Sequence, residues 1–525
     1  MNDIAWSLVP LIWWIGSIWR CRQLALYLQQ EAYESRRFLW AIWQKRLFPV
    51  RAAAIALLAV LLTEAAIVHV LAAILAVSPL PWRAARKNPL RWTARLWRLL
   101  LLTGTVIALV ALCFGLLIHT GEALHTAMGA VMFAAAPIWL AAANQIAEPI
   151  EALIRRSYRK RAAAVLAQLQ PTVVGITGSW GKTSTKHFLA GLLDGRRRVY
   201  ATPKSYNTLM GVTLAINQDL HDDHSIDTFL VEMGAYRRGE IAEICQLAQP
   251  QIAILIDIGP QHLERFGSLE ATQQAKFELV DALPEAGLAI YNWDSEWVRE
   301  GFSRRSHPQR RIAISQAADA PEAVRFVASD VQETLAGLAF CLNDRETGES
   351  ARLKTQLYGT HNVTNLLLAS AAARHFGISL EEIAWRASQL QAVESRLEKV
   401  ETAAGITILN DGYSANPLGA RSALQTLGLH ETGRRLLVTP GMVELGAEEA
   451  AANLQLGSWA AQYATDVILV DEQRAPPIAQ GLCEAGFPKE KVHIVGSLAE
   501  AVAWYQQELR TGDAVLFLND LPDVY

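Results

Sequence analysis

Three stretches near the start of the chain carry almost no charge, and they limit its possible folds more than any other feature. Ala52–Val77 runs for 26 residues interrupted only by Glu64 and His69. Leu99–Ile118 has no charged residue, and Leu124–Ala147 has only His125 near its start. At about 1.5 Å per helical residue, each can cross the roughly 30 Å of a bilayer's hydrocarbon. Ile4–Trp19 is shorter and suits either a crossing or a surface position. Ten of the 16 Trp lie before residue 150, as expected of rings at a membrane interface. A cleaved leader does not fit, because no basic segment precedes the first apolar one and more follow.

Orientation is less constrained. Arg20–Arg51 holds seven Lys or Arg and Arg83–Arg98 holds six, which the positive-inside rule assigns to the cytoplasm. A single crossing by 52–77 would put them on opposite sides. Either 20–51 is an interfacial helix, or 52–77 does not cross simply. Leu99–Ala147 reads as a hairpin that returns Arg155, Arg156, Arg159, Lys160 and Arg161 to the side where ATP is available. Glu64 and His69, five residues apart, suit helix packing or an interface at least as well as a polar site.

Past residue 150 the pattern becomes that of a soluble α/β protein. The net charge of -3 gives no basic field for nucleic acid. Five scattered cysteines without a CxxC pair argue against a disulfide framework or a zinc site. Thr172–Ile176, Phe229–Met233, Ile252–Ile256 and Leu288–Tyr291 read as strands, separated by helical patterns such as Leu269–Ala282 and Asn362–His375. Strand–helix alternation implies a mainly parallel sheet covered on both faces. A second series follows, with strands at Ile406–Leu409, Arg435–Val438, Asp466–Val470, Val492–Val495 and Ala514–Phe517. It predicts a smaller, Rossmann-like doubly wound domain. The expected division is 1–165 for a transmembrane helical region, 166–398 for a central P-loop domain and 399–525 for a C-terminal domain.

The strongest local signal is Gly175-Ile-Thr-Gly178-Ser179-Trp-Gly181-Lys182-Thr183-Ser184-Thr185, at the end of a strand and the start of a helix. Glycines let backbone N–H groups approach phosphate oxygens, and a helix N-terminus favours negative charge. Lys182 is placed to hold the β- and γ-phosphates of ATP, and the Thr183 hydroxyl to bind Mg2+. The spacing is the short T-G-x-x-G-K-T form.

This loop resembles the nucleotide loop of the Mur ligases, and later segments continue the resemblance in order. They are Ala201–Gly211 with Asn207, Phe229–Gly234 with Glu232, and Ile258-Gly-Pro-Gln-His262-Leu-Glu-Arg-Phe-Gly-Ser268. Lys276-Phe-Glu278, Gly359-Thr-His-Asn362-Val-Thr-Asn365, Ser395-Arg396-Leu397 and Asp411-Gly-Tyr413-Ser-Ala-Asn416-Pro417 complete it. The resemblance implies an ATP- and Mg2+-dependent carboxylate–amine ligase acting through an acyl phosphate. It implies Thr183, Glu232 and His262 as metal ligands, with Lys276 joining them if carbamylated. Lys182, His262, Lys276 and Arg396 are then catalytic, with Arg396 at the γ-phosphate. Gly178, Ser179, Gly181, Ser184, Asn292, Asn362, Asn365 and Asp411 border the nucleotide, Asp411 at the ribose. Asn207, Tyr413 and Asn416 face the other substrate.

Within the family, Tyr413–Pro417 and Gly441-Met-Val-Glu-Leu-Gly446 look most like members that add D-alanyl-D-alanine to a peptidoglycan precursor. Asp257 departs from the pattern, standing where the family commonly has Asn, and the family's soluble N-terminal domain for the UDP-sugar is not recognisable. The expected partners are a small-molecule or lipid-linked carboxylate, an amino acid or dipeptide amine, and a lipid bilayer. The expected place is a bacterial inner membrane with the ligase domains facing the cytoplasm. A ligase building a poly-amino-acid or capsule polymer, or a membrane-associated P-loop ATPase, is the alternative.

Overall fold

In the computed structural model the chain divides into two units, with the boundary between Ser157 and Tyr158. The structure describes residues 2–47, 50–62, 65–77, 90–117, 123–203, 206–221, 223, 225–261, 263–305, 309–413, 416–443 and 445–519.

The first unit is helical, built from Asn2–Gln30, Ser35–Gln44, Val50–Leu62, Ala66–Val77, Ala94–Leu117, Ala123–Ala134 and the first part of Ala136–Leu169. Leu24, Leu28, Phe38, Ile42, Leu96 and Leu140 form a buried cluster in it. His69 is buried with its Nδ1 2.7 Å from the Thr126 hydroxyl; Glu64 lies outside the described residues. Outer faces leave Leu61, Ile67 and Leu101 more than half exposed.

Of the apolar runs, Leu99–Ile118 falls largely on one long helix, Ala94–Leu117, while the other two do not form single straight spans. Ala52–Val77 is split between Val50–Leu62 and Ala66–Val77, helices of 13 and 12 residues. These are about 20 and 18 Å long, short of a bilayer's hydrocarbon. Leu124–Ala147 is broken at Ala135, where Thr126–Ala134 and Ala136–Leu169 meet at 61°. Among the described residues one helix, Ala94–Cys113, is long and apolar enough to cross a membrane, or two spans if that bent pair counts as one.

The second unit carries two sheets. Its first nine strands are β1 (Thr172–Thr177), β2 (Val199–Ala201), β3 (Thr228–Glu232), β4 (Ile252–Leu255), β5 (Leu288–Asn292), β6 (Arg310–Ser315), β7 (Val324–Thr334), β8 (Gly337–Asp344) and β9 (Glu349–Lys354). They lie in the order β2-β3-β1-β4-β5-β6-β7-β8-β9, parallel up to β7 and antiparallel beyond. The β-branched Val174 and Ile176 of β1 enter the core on one face of this sheet, and Val173 enters the core on the other. Burial on both faces is what a parallel sheet needs. The chain leaves β1 towards β2 and β3 on one side and returns to β4 on the other. A crevice therefore opens beyond the carboxyl end of β1.

The second sheet holds β10 (Glu398–Glu401), β11 (Thr407–Asp411), β12 (Arg435–Thr439), β13 (Asp466–Val470), β14 (Val492–Val495) and β15 (Ala514–Leu518), in the order β10-β11-β15-β12-β13-β14. Only the β10–β11 pair is antiparallel. The strands read from sequence all form, within a residue or two at each end. The parallel strand β6, the antiparallel extension β7–β9 and the edge strands β2 and β10 are additional.

Candidate active site

Because β1, β3, β4 and β5 are parallel neighbours, their carboxyl ends bring Gly178, Glu232, the 256–261 loop and Asn292 to one edge. The phosphate loop 178–181 turns sharply into the helix Lys182–Leu193. Gly181 makes that turn at φ +78°, a conformation that favours glycine. At Gly178 an added Cβ would lie 3.0 Å from Ile256 Cβ and 3.2 Å from Asp257 N, so the two loops meet backbone to backbone. The Lys182 ammonium folds over this loop and donates to the carbonyls of Gly178 (2.8 Å) and Ser179 (3.1 Å). Desolvation, aided by Arg396 and opposed by Glu232, lowers its pKa to about 8.

Glu232, 1 % exposed, ends β3 directly beneath the loop. Its Oε2 accepts from the Thr183 hydroxyl at 3.0 Å and from Lys186 Nζ at 3.0 Å, while its Oε1 accepts from Asn207 Nδ2 at 3.1 Å. Burial works against the charge. The Lys186 and Lys182 ammonium groups, and hydrogen bonds from Lys186 and Asn207, outweigh it and hold the carboxyl below its usual pKa. A buried anionic carboxylate beside a hydroxyl is a hard-oxygen donor pair. That suits Mg2+, which takes few protein ligands and completes its shell with water and phosphate oxygens. Among the described residues no group of three or more His, Cys, Asp or Glu is placed to hold a metal. His262 lies outside the described residues.

Lys276 is 3 % exposed, on the helix Leu269–Asp281. Desolvation, and then the charge of Lys182, push its pKa well below the usual lysine value against the pull of Glu232 and Glu278. Glu278, two residues on, is committed elsewhere, accepting from the N–H groups of Gly239 (2.6 Å) and Ala242 (3.0 Å) at the start of the helix Glu240–Ala248.

A cleft of about 500 Å³ opens beside the loop, between the two sheets' edges. Gly181, Ser184, Asn292, Asn365, Arg396 and Asp411 line it, joined by Asn416. Arg396 donates to the Tyr413 carbonyl at 2.7 Å, and its guanidinium lies over the Tyr413 ring at 4.4 Å. Asp411 accepts from the Leu397 N–H at 3.1 Å; desolvation raises its pKa to about 6 against the pull of Arg396. Asn416 caps the helix Pro417–Gly428, accepting from Gly419 N at 2.9 Å. Asn365 accepts from the Thr185 hydroxyl at 3.2 Å. Asn362 stands back from the cleft, its amide donating to the Tyr358 carbonyl (2.7 Å) and its carbonyl accepting from Asn365 (2.9 Å).

Sequence reasoning passed over three residues here. Lys186 lies one helical turn beyond Lys182, on the face turned to Glu232, and only that i,i+4 spacing could have flagged it. Trp180 and Ser295 close a network on Asp257 described below. His361 also lines the cleft, its pKa lowered to about 4 by desolvation and Arg396, with a buried Nδ1 that has no hydrogen-bond partner among the described residues.

Residues 176–373 match the Mur ligase middle domain, and residues 395–519 match the Mur ligase glutamate ligase domain. The UDP-N-acetylmuramoyl-tripeptide–D-alanyl-D-alanine ligase of Escherichia coli (strain K12) is 34% identical over 316 residues, 60% of this chain and 68% of that one. Its counterpart in Mycobacterium tuberculosis (strain CDC 1551 / Oshkosh) is 30% identical over 437 residues, 76% of this chain and 84% of that one. The chain belongs to the Mur ligase family. Its fold agrees with the MurF ligase from Thermotoga maritima in complex with ADP, at a TM-score of 0.60 and 25% identity, covering 70% of this chain and 80% of that one. As a Mur ligase it is an ATP-dependent, ADP-forming acid–amino-acid ligase that uses Mg2+.

One expectation is corrected. The inner-membrane placement rested on several long spans, and among the described residues only one helix is long and apolar enough to cross, or two spans with the bent pair. The relatives that identify the chain are Mur ligases, and the two matched family domains begin only at residue 176. The lipid bilayer loses its support as a partner for the same reason.

Proposed function

We propose that this Mur ligase joins D-alanyl-D-alanine, through its amine, to the terminal carboxylate of a UDP-N-acetylmuramoyl-tripeptide in peptidoglycan precursor synthesis. The observation that carries the reading is the buried Glu232 carboxylate, held by Thr183 and Lys186 directly beneath a phosphate loop that borders the cleft. The relatives named above, which carry this activity in their names, support the substrate pair.

In this reading ATP lies in the cleft, with its ribose at Asp411 and its base near Asn292 and Asn365. Lys182 leaves the loop carbonyls for the β- and γ-phosphates, joined by N–H groups of the loop and of Ser184. Thr183, Glu232 and His262 hold Mg2+, which when bound neutralises charge on the phosphoryl oxygens. A carboxylate oxygen of the substrate attacks the γ-phosphorus, the bond to the β–γ bridging oxygen breaks, and ADP leaves. Arg396 stabilises the charge spread over the transferring group. The amine nitrogen then attacks the acyl carbon, phosphate departs, and the nitrogen gives up a proton. Lys276 enters as a carbamate, formed when its neutral amine adds CO2 and releases a proton. Asn207, Tyr413 and Asn416 border the carboxylate and amine.

A lipid-linked carboxylate is the second reading. It is motivated by the separate helical unit that precedes the matched domains.

Phosphate release tests both, using the full-length protein, Mg2+-ATP, UDP-N-acetylmuramoyl-tripeptide and D-alanyl-D-alanine. Release that needs both substrates and vanishes in Lys182→Ala supports the proposal. ATP binding without release on these substrates overturns it in favour of another carboxylate.

A further inference from the structure

The phosphate loop and the loop after β4 are joined through two neighbouring side chains, and the larger of them is a tryptophan. The outer edge of the Trp180 indole closes on Gly259, where an added Cβ would sit 1.8 Å from ring carbon Cη2. Its Nε1 donates to Asp257 Oδ2 at 3.0 Å. Asp257 Oδ1 accepts from the Ser295 hydroxyl at 2.5 Å and from the Ile258 N–H at 2.7 Å, so both oxygens are committed. The neighbouring residue reinforces the joint. Ser179 N donates to the Asp257 carbonyl (2.8 Å), and its hydroxyl exchanges hydrogen bonds with the Gly259 carbonyl (3.1 Å) and N–H (3.0 Å).

Three segments therefore meet on one half-buried carboxylate: the phosphate loop, the loop 256–261 after β4, and the turn after β5. These hydrogen bonds couple the position of 178–181 to that of 257–259.

We propose that Trp180, anchored by Asp257, is a positioning residue that aligns the loop leading to position 262 with the phosphate loop, so that Mg2+ is captured together with the nucleotide. A side chain at 259 would collide with the ring where it stands, and an acceptor pair at 257 takes the indole N–H and the Ser295 hydroxyl together. Groups that support a metal site without touching the ion alter metal affinity by about 10–100-fold when lost.

This inference rests on the ATP- and Mg2+-dependent reading but on neither organic substrate. Its test is isothermal titration of the full-length protein with ATP, once with saturating Mg2+ and once with EDTA. The variants are Trp180→Ala, Trp180→Phe and Asp257→Asn. The expected result is ATP affinity in EDTA within about 3-fold of the original protein, and a gain on adding Mg2+ that falls about 10-fold or more in Trp180→Ala and Asp257→Asn. Trp180→Phe keeps the ring without its N–H and should fall between. Trp180 lines the cleft, so a simple nucleotide contact is the rival explanation. Equal loss of affinity with and without Mg2+ would mark it as that and overturn the proposal, as would a full Mg2+ gain in Trp180→Ala. If Trp180→Ala fails to fold, the other two variants decide. Failure of the original protein to bind ATP would instead overturn the ligase reading.

Discussion

The Lys186 ammonium stands 3.0 Å from Glu232 Oε2, the same oxygen that accepts the Thr183 hydroxyl. Both partners are almost wholly buried, with side-chain exposures of 6% and 1%. The ion pair thus holds a negative charge in the interior where Mg2+ is expected. Removing one partner of a buried pair leaves the other uncompensated, at a cost of roughly 3–5 kcal/mol. Lys186→Met should lose about that much stability in urea unfolding without ligand. Mg2+-ATP should raise its melting temperature more than that of the original protein, because the ion restores the missing positive charge. Unchanged stability would show that Glu232 does not need the lysine.

Lys276 yields a second prediction. Desolvation and Lys182 favour its neutral amine, and only a neutral amine adds CO2. With 13C-labelled bicarbonate, a carbamate resonance should appear in the original protein and be absent from Lys276→Arg. The same variant should lose about 10–100-fold in turnover, because its guanidinium places a cation where an anion would support the metal. A missing resonance in active enzyme would exclude the carbamate.

The parts of this molecule governed by local rules were readable from sequence. β-branched runs ending in glycine gave β1 and its loop, and alternating strands and helices gave two parallel sheets. The resemblance supplied Glu232 and Arg396, which the fold brings to the same cleft region across 164 positions of sequence. What escaped depends on tertiary contact. Glu349–Lys354 is too polar to read as a strand, and it forms because Cys341 and Leu342 of β8 offer a ladder. The apolar run 52–77 was read as one segment although Glu64 interrupts it, and its described parts form two short helices. Trp180 looked like an arbitrary residue in a glycine-rich loop, and its role depends on an aspartate 77 residues away.

Glu333, near the end of β7, accepts at one oxygen from the Gly359 N–H (2.8 Å) and from the Thr426 hydroxyl (2.6 Å). Thr426 belongs to the helix Pro417–Gly428 that borders the cleft, and Gly359 precedes the helix His361–His375 on its other wall. The carboxylate thus ties the first sheet to both walls. Hydrogen bonds to a charged group contribute about 1.5–3 kcal/mol. Glu333→Ala should therefore raise the KM for ATP about 10-fold with little change in kcat. Glu333→Gln keeps a carbonyl acceptor and should stay within about 3-fold. Equal KM values in both variants and the original would remove Glu333 from cleft geometry.

The pH dependence of kcat/KM for ATP follows from two groups in the unliganded site, since this ratio reports ionisations of the free enzyme. Asp411 has its pKa raised to about 6, so its carboxylate forms only above that value. Below it the protonated group loses acceptor capacity for ribose hydroxyls, and the ratio should fall as the solution is acidified. Lys182 has its pKa lowered to about 8, so the ammonium that meets the phosphates is lost as pH rises through that value. The profile should be a bell with limbs near 6 and 8. Asp411→Asn, permanently uncharged, should abolish the acid limb and leave the alkaline one. Folding stability carries the opposite sign for Asp411: its charged form is disfavoured in the folded state, so as pH rises stability should decline between its ordinary value of 3.8 and about 6, then level off. An acid limb that persists in Asp411→Asn would assign that ionisation to another group.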